Sequence, residues 1–342
     1  MSFKEPLHEI AHLAITELYT PKFNESLRFF TELLGMSITE QEDGVAYLRA
    51  YEDRYHHSLK LTASDEAGIG AVCWRTTSPQ ALERRVAEMQ AQGIKGEWVE
   101  GHKGYGRAYE FKTTSGHRQR LFWDVEYYKP ADHEKSRILS RMTRRPNRGV
   151  PVRRLDHINL MSTNPSADAK MFEDALGFRK NERAVMGETE LACWLSTNPL
   201  VHEVAFTIDQ HSSGGRLHHV AFWYGNPGQM LDIADLLAEE DIQIEAGPAK
   251  HGISQAYFMY VYEPGGNRIE LFGDQGYLIF DPEWQCLTWD ETNFMKDGAV
   301  WFGGELPPDF FIYGTPIVEE AIHALRVAKG EVEAPAAMEP AE

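Results

Sequence analysis

The sequence has few of the features that mark secreted, membrane-spanning or zinc-stabilised proteins. It contains only three cysteines, Cys73, Cys193 and Cys286, and they form no CxxC pair, which disfavours a disulfide or zinc framework. No run of about 18 apolar residues is present, so we expect no membrane span. The opening residues, MSFKEPLHEI, lack the charged-then-apolar pattern of a secretion signal. These absences favour a cytoplasmic protein.

Positive charge is also scarce. The 342 residues include 34 Lys and Arg against 52 Asp and Glu, which gives a net charge of −18 at pH 7. Such a charge repels nucleic acid phosphates and anionic membrane surfaces, so we predict neither as a partner. The composition, 42% hydrophobic and 25% charged, is that of a globular protein, and the length is enough for two domains.

The order of helix and strand patterns predicts an internal repeat. The segment Phe30–Met36 (FTELLGM), which closes a predicted helix, matches Phe172–Phe178 (FEDALGF) in the second half. The predicted helix Pro79–Gln92 likewise corresponds to Gly228–Glu240. We therefore predict an α+β fold of four βαβββ modules in two tandem domains, with the active site in the C-terminal barrel.

The repeat also sets the expected domain limits. We predict an N-terminal domain without metal at residues 1–136, an Arg-rich linker at 137–154 and a metal-binding catalytic domain at 155–280. Residues 281–330 are expected to form an ordered extension, a lid or a subunit contact, and 331–342 a disordered tail rich in Ala, Glu and Pro. The linker is interpreted as solvated, or as packed on an acidic partner surface.

Three predicted strands of the second half carry metal-binding residue types, namely His157, the adjacent pair His218 and His219, and Glu270. A lone histidine on such a strand is more often a packed core residue than a ligand. Because neighbouring side chains on a strand point to opposite faces, we expect only one of His218 and His219 to face a shared cavity. Two imidazoles and one carboxylate form the facial arrangement typical of non-haem iron(II), with manganese(II) as the alternative.

The repeat provides an internal control for this metal site. Alignment of the two halves places His12 opposite His157, Ala71 opposite His219 and Arg120 opposite Glu270. Alanine cannot bind a metal ion, and arginine repels one. The first half therefore keeps the scaffold but cannot build the triad. A duplication in which one half lost metal binding explains this pattern, whereas a purely structural role does not.

The chain resembles a known family. From about Leu7 to Trp289 the chain is similar to the two-domain extradiol catechol dioxygenases of the vicinal oxygen chelate superfamily, in the branch of the catechol 2,3- and homoprotocatechuate 2,3-dioxygenases. The resemblance rests on the motifs LDHINL, VHEVAF, GRLHHVAF, GPAKHG and YVYEPGGNRIELF. It implies cleavage of a catechol ring by O₂ beside the diol, giving a 2-hydroxymuconic semialdehyde-type product. It also implies a homo-oligomer, often a tetramer.

The resemblance implies a role for individual residues. The metal ligands are His157, His219 and Glu270, because the second histidine of the pair is the ligand in the family. Three further residues take part in catalysis, with His202 as the acid–base histidine, His251 beside the substrate and Tyr260 on a catechol oxygen. The remaining pocket residues are Asn159, Trp194 and Lys250.

Two departures from the family bear on the substrate. Lys250 stands where the GPxRHG motif commonly has arginine, and lysine cannot form a planar bidentate contact. Asp297, next to Lys296, stands where the homoprotocatechuate enzymes have an arginine for the substrate carboxylate, and an acidic residue repels such a group. We therefore favour an unsubstituted, alkyl- or halocatechol, with homoprotocatechuate as the alternative.

Two other classes of protein are alternatives to an extradiol dioxygenase. A glyoxalase-like metalloenzyme of the same superfamily needs no O₂ and usually has more carboxylate ligands. A metal-free binding protein would use the cavity alone, but buried polar groups without a function are costly.

Overall fold

The computed structural model describes residues 7–332, whose strands form two large mixed sheets. The first sheet contains eight strands: β1 (Ile10–Thr20), β2 (Ser37–Glu42), β3 (Val45–Arg49), β4 (Leu59–Ala63), β5 (Gly68–Thr76), β6 (Gly96–Val99), β7 (Ala108–Lys112) and β8 (Arg118–Phe122). The second contains nine: β9 (Arg154–Ser162), β10 (Arg179–Met186), β11 (Thr189–Ser196), β12 (Val204–Ile208), β13 (Arg216–Trp223), β14 (Ile244–Lys250), β15 (Tyr257–Tyr262), β16 (Arg268–Phe272) and β17 (Leu287–Trp289).

Five α-helices accompany the sheets within residues 7–332: α1 (Phe23–Arg28), α2 (Pro79–Ala91), α3 (Pro165–Met171), α4 (Gly228–Glu239) and α5 (Glu319–Ala328). The helices α1 and α3 continue into π-helical turns at Phe29–Leu33 and Phe172–Leu176, and a third such turn covers Phe294–Gly298. Ser78 caps α2 by accepting a hydrogen bond from the Ala81 amide. None of the helices in the described part of the chain is both long and apolar enough to cross a membrane.

The strand order confirms the predicted repeat and the α+β class. The first sheet runs β2-β3-β4-β1-β5-β8-β7-β6, and the second runs β14-β15-β16-β13-β9-β12-β11-β10-β17. Within every module the strands therefore follow the order second, third, fourth, first. The two modules of each sheet meet where their first strands pair antiparallel, β1 with β5 and β9 with β13.

The register also supports the alignment of the two halves. Ala221 of β13 pairs with Glu270 of β16, and Cys73 of β5 pairs with Arg120 of β8 at the corresponding position. Arg120 donates to the Tyr105 hydroxyl at 2.7 Å and to Glu110 at 2.8 Å. An arginine ion pair thus takes the place in the first sheet that a carboxylate takes in the second.

One hydrophobic core extends through both halves of the chain. Trp74 of β5 packs edge-on against Phe172 and Phe178, with ring centroids 5.9 and 5.1 Å away. Two corresponding turns also bridge the halves, because the His117 imidazole bonds the Arg216 carbonyl and the Asn267 amide donates to the Tyr19 carbonyl, each at 2.9 Å. The second sheet is thereby held in a fixed relation to the first.

Two strands of the second sheet were not predicted from the sequence. The segment of β10, RKNERAVM, is too polar to suggest a strand, yet it pairs with β11 along its length. The strand β17 lies in the C-terminal extension and pairs parallel with β10. Pairing with neighbours therefore outweighs local propensity here.

The Arg-rich linker packs on the first half of the chain. The Arg153 guanidinium donates to both carboxylate oxygens of Glu52, at 3.0 and 2.9 Å, and Arg148 donates to the Met36 carbonyl at 2.6 Å. Val152 is fully buried. The predicted domain limits remain predictions. Residues 333–342 of the predicted tail lie outside the described part of the chain.

Candidate metal centre

Three neighbouring strands bring two histidines and one glutamate together. His157 lies on β9, His219 on β13 and Glu270 on β16. Oε2 of Glu270 lies 2.7 Å from Nε2 of His157 and 3.1 Å from Nε2 of His219, and the two imidazole nitrogens are 3.3 Å apart. Among the residues described, this is the group whose ligand atoms, all within 4.8 Å of one another, could hold a metal ion.

The chemistry of this triad fits a divalent cation. All three side chains are buried, and the second oxygen of Glu270, Oε1, has no hydrogen-bond partner. Burial opposes ionisation of Glu270, but the charges of His157 and His219 outweigh it and hold the carboxyl pKa well below its usual range. The site therefore offers an ionised carboxylate with a free lone pair beside two imidazole nitrogens, a donor set that suits Fe²⁺ or Mn²⁺.

Both members of the histidine pair line the cavity, so the expectation that only one would face it is wrong. The pairing of β13 with β9 shifts register between Leu217 and His219, which interrupts the alternation of side chains. Nε2 of His218 donates to the Phe310 carbonyl at 3.1 Å, whereas Nε2 of His219 faces Glu270. Of the two, His219 thus presents its nitrogen to the triad.

His157 is oriented by the residue that precedes it. Its Nδ1 donates to Oδ2 of Asp156 at 2.8 Å, and Oδ1 of that carboxylate pairs with Arg154 at 2.7 Å. Although burial lowers the pKa of His157, Glu270 and Asp156 raise it to about 9. The contact with Asp156 holds the proton on Nδ1 in place, so Nε2, which donates to Glu270, is the nitrogen that a metal ion would take. The sequence reasoning did not single out Asp156, although it stands within the LDHINL motif.

His202 lies against the triad. Its ring centroid is 4.2 Å from that of His157, and its Nδ1 is buried without a hydrogen-bond partner. Burial, together with the charge of His157, lowers the pKa of His202 well below its usual value. The structure thus places a neutral imidazole with an unpaired nitrogen at the wall of the cavity.

Tyr260 and His251 also meet at this cavity. Nε2 of His251 lies 3.2 Å from the Tyr260 hydroxyl and 3.7 Å from Oε1 of Glu270. The other nitrogen of His251 donates to the Ala299 carbonyl, and its ring stacks on Phe258 at 3.6 Å. The C-terminal extension therefore helps to orient a histidine of the site.

Two of the three predicted pocket residues line the cavity, and one does not. Oδ1 of Asn159 accepts a hydrogen bond from the Thr207 hydroxyl at 3.0 Å, and the half-buried Trp194 contributes an apolar face. Lys250 is not among the described residues that line the cavity. Its ammonium lies over the Tyr257 ring instead, 5.2 Å from the ring centroid. Register shifts in the pairing of β14 with β15 reverse the side-chain alternation before Lys250.

The cavity, about 530 Å³ with its open mouth, is closed on one side by the extension. That segment contributes a group of mostly aromatic side chains, Phe294, Ala299, Leu306, Phe310 and Phe311. The sequence predicted an ordered extension, a lid or a subunit contact here, but none of its side chains was assigned to the site. Sequence reasoning also missed Thr207 and Ser254, which no motif signalled.

Fold and site together define a class: a protein of four βαβββ modules in which one module pair carries a buried triad of two histidines and one glutamate. Comparison with known proteins agrees. The family model described as Glyoxalase/Bleomycin resistance protein/Dioxygenase superfamily matches residues 9–121 and 154–271.

Similar proteins narrow this further. The chain is 49% identical to a metapyrocatechase from Geobacillus stearothermophilus, over 94% of this chain and 98% of the relative. It is 37% identical to a manganese-dependent 2,3-dihydroxybiphenyl 1,2-dioxygenase from Geobacillus genomosp. 3, over 88% and 96%. The solved homoprotocatechuate 2,3-dioxygenase from Arthrobacter globiformis superposes with a TM-score of 0.79 at 27% identity, over 92% of this chain and 94% of that one. The chain therefore belongs to the Glyoxalase/Bleomycin resistance protein/Dioxygenase superfamily, and within it to the extradiol dioxygenases.

Proposed function

We propose that this protein cleaves the ring of a catechol with O₂ next to the diol, in the degradation of aromatic compounds. The observation that carries the proposal is the buried triad of His157, His219 and Glu270 with its unpaired carboxylate oxygen. The product of such extradiol cleavage is a 2-hydroxymuconic semialdehyde or its substituted equivalent. The names of the relatives, metapyrocatechase among them, support the same chemistry.

The residues around the triad supply binding and proton transfer. When bound, the divalent ion supplies Lewis acidity that lowers the pKa of a catechol hydroxyl, and a route for electrons between the ring and O₂. His202, neutral and with Nδ1 unpaired, accepts the proton of that hydroxyl and returns it later in the reaction. Tyr260 hydrogen-bonds a catechol oxygen, and His251 holds the Tyr260 hydroxyl in place. The surrounding aromatic residues exclude water from the ring.

Fe²⁺ is the proposed metal, with Mn²⁺ as the alternative. Two nitrogens and one oxygen suit both ions. The manganese alternative is favoured by one observation, the manganese-dependent relative at 37% identity. Metal analysis of protein loaded anaerobically with each ion, followed by O₂ uptake, distinguishes the two.

A neutral catechol is the proposed substrate. No lysine or arginine belongs to the cavity lining in residues 7–332, so a carboxylate on the ring would be buried without a cation. We therefore favour catechol and its alkyl or halo derivatives over homoprotocatechuate, although solved homoprotocatechuate enzymes share the fold.

The assembly and setting of the protein are further parts of the proposal. Phe280, just before the extension, and Trp301 within it are 75% and 61% exposed. Apolar surface of this kind supports a homo-oligomer, with a tetramer as the form that the family resemblance suggests. All three cysteines are free thiols, in keeping with the cytoplasm. We also retain the division into domains at 1–136 and 155–280.

The proposal is tested by an O₂-electrode assay of the anaerobically iron-loaded protein with catechol, 3-methylcatechol, 4-methylcatechol and homoprotocatechuate. We expect O₂ uptake and a yellow ring-opened product with the neutral catechols. A metal-loaded protein that consumes no O₂ with any of them would favour a glyoxalase-like enzyme. A protein that binds no metal would favour a metal-free binding protein. Fast turnover of homoprotocatechuate would contradict the preference for neutral rings.

A further inference from the structure

Three residues that line the cavity each have a polar atom buried without a hydrogen-bond partner: Oε1 of Glu270, Nδ1 of His202 and Oγ of Ser254. The first two belong to the proposed metal ligand and the proposed acid–base group. In the proposed reaction, the Glu270 oxygen is paired by the bound metal ion and the His202 nitrogen by the bound catechol. Ser254, only 2% exposed, has the same property but no role in the chemistry proposed above. Since buried polar groups are almost always paired, its hydroxyl requires an explanation.

The backbone at Ser254 is held firmly in an unusual conformation. Ser254 and Gln255 both have positive φ angles, +56° and +59°, which residues other than glycine rarely adopt. The Ser254 amide donates to Glu182 at 2.8 Å, and its carbonyl accepts from the Tyr277 amide at 3.1 Å. Both backbone groups are thus satisfied, and the hydroxyl is the part of the residue left for a ligand. Strained backbone that is fixed in this way is common at ligand sites.

The neighbours of Ser254 restrict what that ligand can be. Ile253, Phe294 and Ala299 belong to one buried apolar cluster and line the same cavity, and none is a candidate metal ligand. An apolar substituent in this region would leave the hydroxyl unpaired, whereas a carboxylate would find no cation in the described lining. A neutral group that can form a hydrogen bond satisfies both conditions.

We propose that Ser254 determines substrate specificity by hydrogen-bonding a neutral polar substituent on the ring of the bound catechol, such as a hydroxymethyl group. The inference rests on the proposed ring cleavage and refines it: among the neutral catechols, those with a polar substituent are preferred to the alkyl derivatives. A site that hydrogen-bonds a substrate hydroxyl discriminates against the analogue that lacks it, because the hydroxyl of the protein is then left unpaired. Ser254 does not take part in the cleavage itself.

The test compares two nearly isosteric substrates, (hydroxymethyl)catechol and ethylcatechol, each as the 3- and the 4-isomer. For the iron-loaded protein, kcat/KM from O₂ uptake and the Kd from anaerobic calorimetry are measured with each pair. The variant Ser254→Gly removes the hydroxyl and tolerates the positive φ. The matched control Gln255→Gly relieves the same backbone conformation at an exposed neighbour and keeps the hydroxyl.

We expect the wild-type protein and Gln255→Gly to prefer the hydroxymethyl member of one isomer pair by about five- to tenfold, the value of one neutral hydrogen bond. Ser254→Gly should lose this preference in both kcat/KM and Kd while it retains bound iron. Equal use of both members by the wild-type protein, or a preference that persists in Ser254→Gly, would overturn the inference. No O₂ uptake with any catechol would instead refute the proposed ring cleavage.

Discussion

Asp156 and His157 are neighbours in the chain that are also joined side chain to side chain, with Nδ1 of the histidine donating to Oδ2 of the aspartate at 2.8 Å. The same aspartate is tied to Arg154 at 2.7 Å. Because Asp156 holds the proton on Nδ1, Nε2 is the nitrogen that faces Glu270, to which it donates at 2.7 Å, and the nitrogen that would exchange its proton for a metal ion. A carboxylate behind a ligating histidine fixes both the tautomer and the ring orientation.

The variant Asp156→Asn should therefore weaken metal binding. An amide can turn its NH₂ group toward Nδ1, which favours the proton on the wrong nitrogen. Loss of such a partner typically lowers metal affinity about 10- to 100-fold. Anaerobic titration with Fe²⁺ or Mn²⁺ measures this effect. If Asp156→Asn binds the ion as tightly as the wild-type protein, Asp156 does not orient His157.

The variant His202→Phe should separate binding from turnover. The ring can be replaced without loss of a hydrogen bond because Nδ1 has no partner, so we expect metal content and anaerobic catechol affinity to remain near those of the wild type. Removal of a general acid–base group should slow O₂ uptake about 10²- to 10⁴-fold. His323→Phe, at an exposed site on α5, serves as the control. Unchanged turnover in His202→Phe would remove the role assigned to His202.

His57, in the loop before β4 and in the half of the chain that lacks the triad, makes the stability of the protein depend on pH. Burial, aided by the charge of His56, lowers the pKa of His57 from 6.5 to about 3. The unfolded chain therefore binds a proton between pH 6.5 and 3 that the folded chain does not. This contribution to the free energy of unfolding is present above pH 6.5 and declines as the pH falls through that window.

We expect His57 to account for about 2 kcal/mol of the stability lost between pH 7 and pH 5. His57→Gln should be less stable than the wild type at pH 7 but should lose less on acidification, by roughly this amount. Urea unfolding at the two pH values measures the difference, with His133→Gln at an exposed position as the control. Equal losses in His57→Gln and in the wild type would show that His57 titrates normally.

Much of the scaffold was accessible from the sequence because it is repeated. The helices that close before Gly35 and Gly177 recur at matching places, and apolar strands precede both of them. The strand β10 was not predicted because its sequence is rich in charged residues, and it is extended through its pairing with β11 and β17. Such pairing depends on distant segments, which local pattern does not reveal.

The candidate site was likewise predictable from the sequence only in part. His157 and Glu270 were predictable because predicted strands carry them and the first half, with Ala71 and Arg120 at two of the three positions, cannot complete the set. The prediction that only one of His218 and His219 faces the cavity was wrong, because a register shift in β13 interrupts the alternation of side chains and both line the cavity. Lys250 was placed by motif alone, and its side chain lies over Tyr257 instead. Ser254 had no sequence signal, because its significance lies in an unpaired hydroxyl that only the folded loop exposes.

Anaerobic metal titration of the wild-type protein beside Glu270→Gln tests the central claim most directly. The variant replaces the ionised ligand with a neutral amide of the same shape, and Glu100→Gln at an exposed position is the control. We expect the wild-type protein and the control to bind one divalent ion per chain and to consume O₂ with catechol, and Glu270→Gln to do neither. Full metal content and O₂ uptake in Glu270→Gln would contradict the claim that His157, His219 and Glu270 together hold the ion.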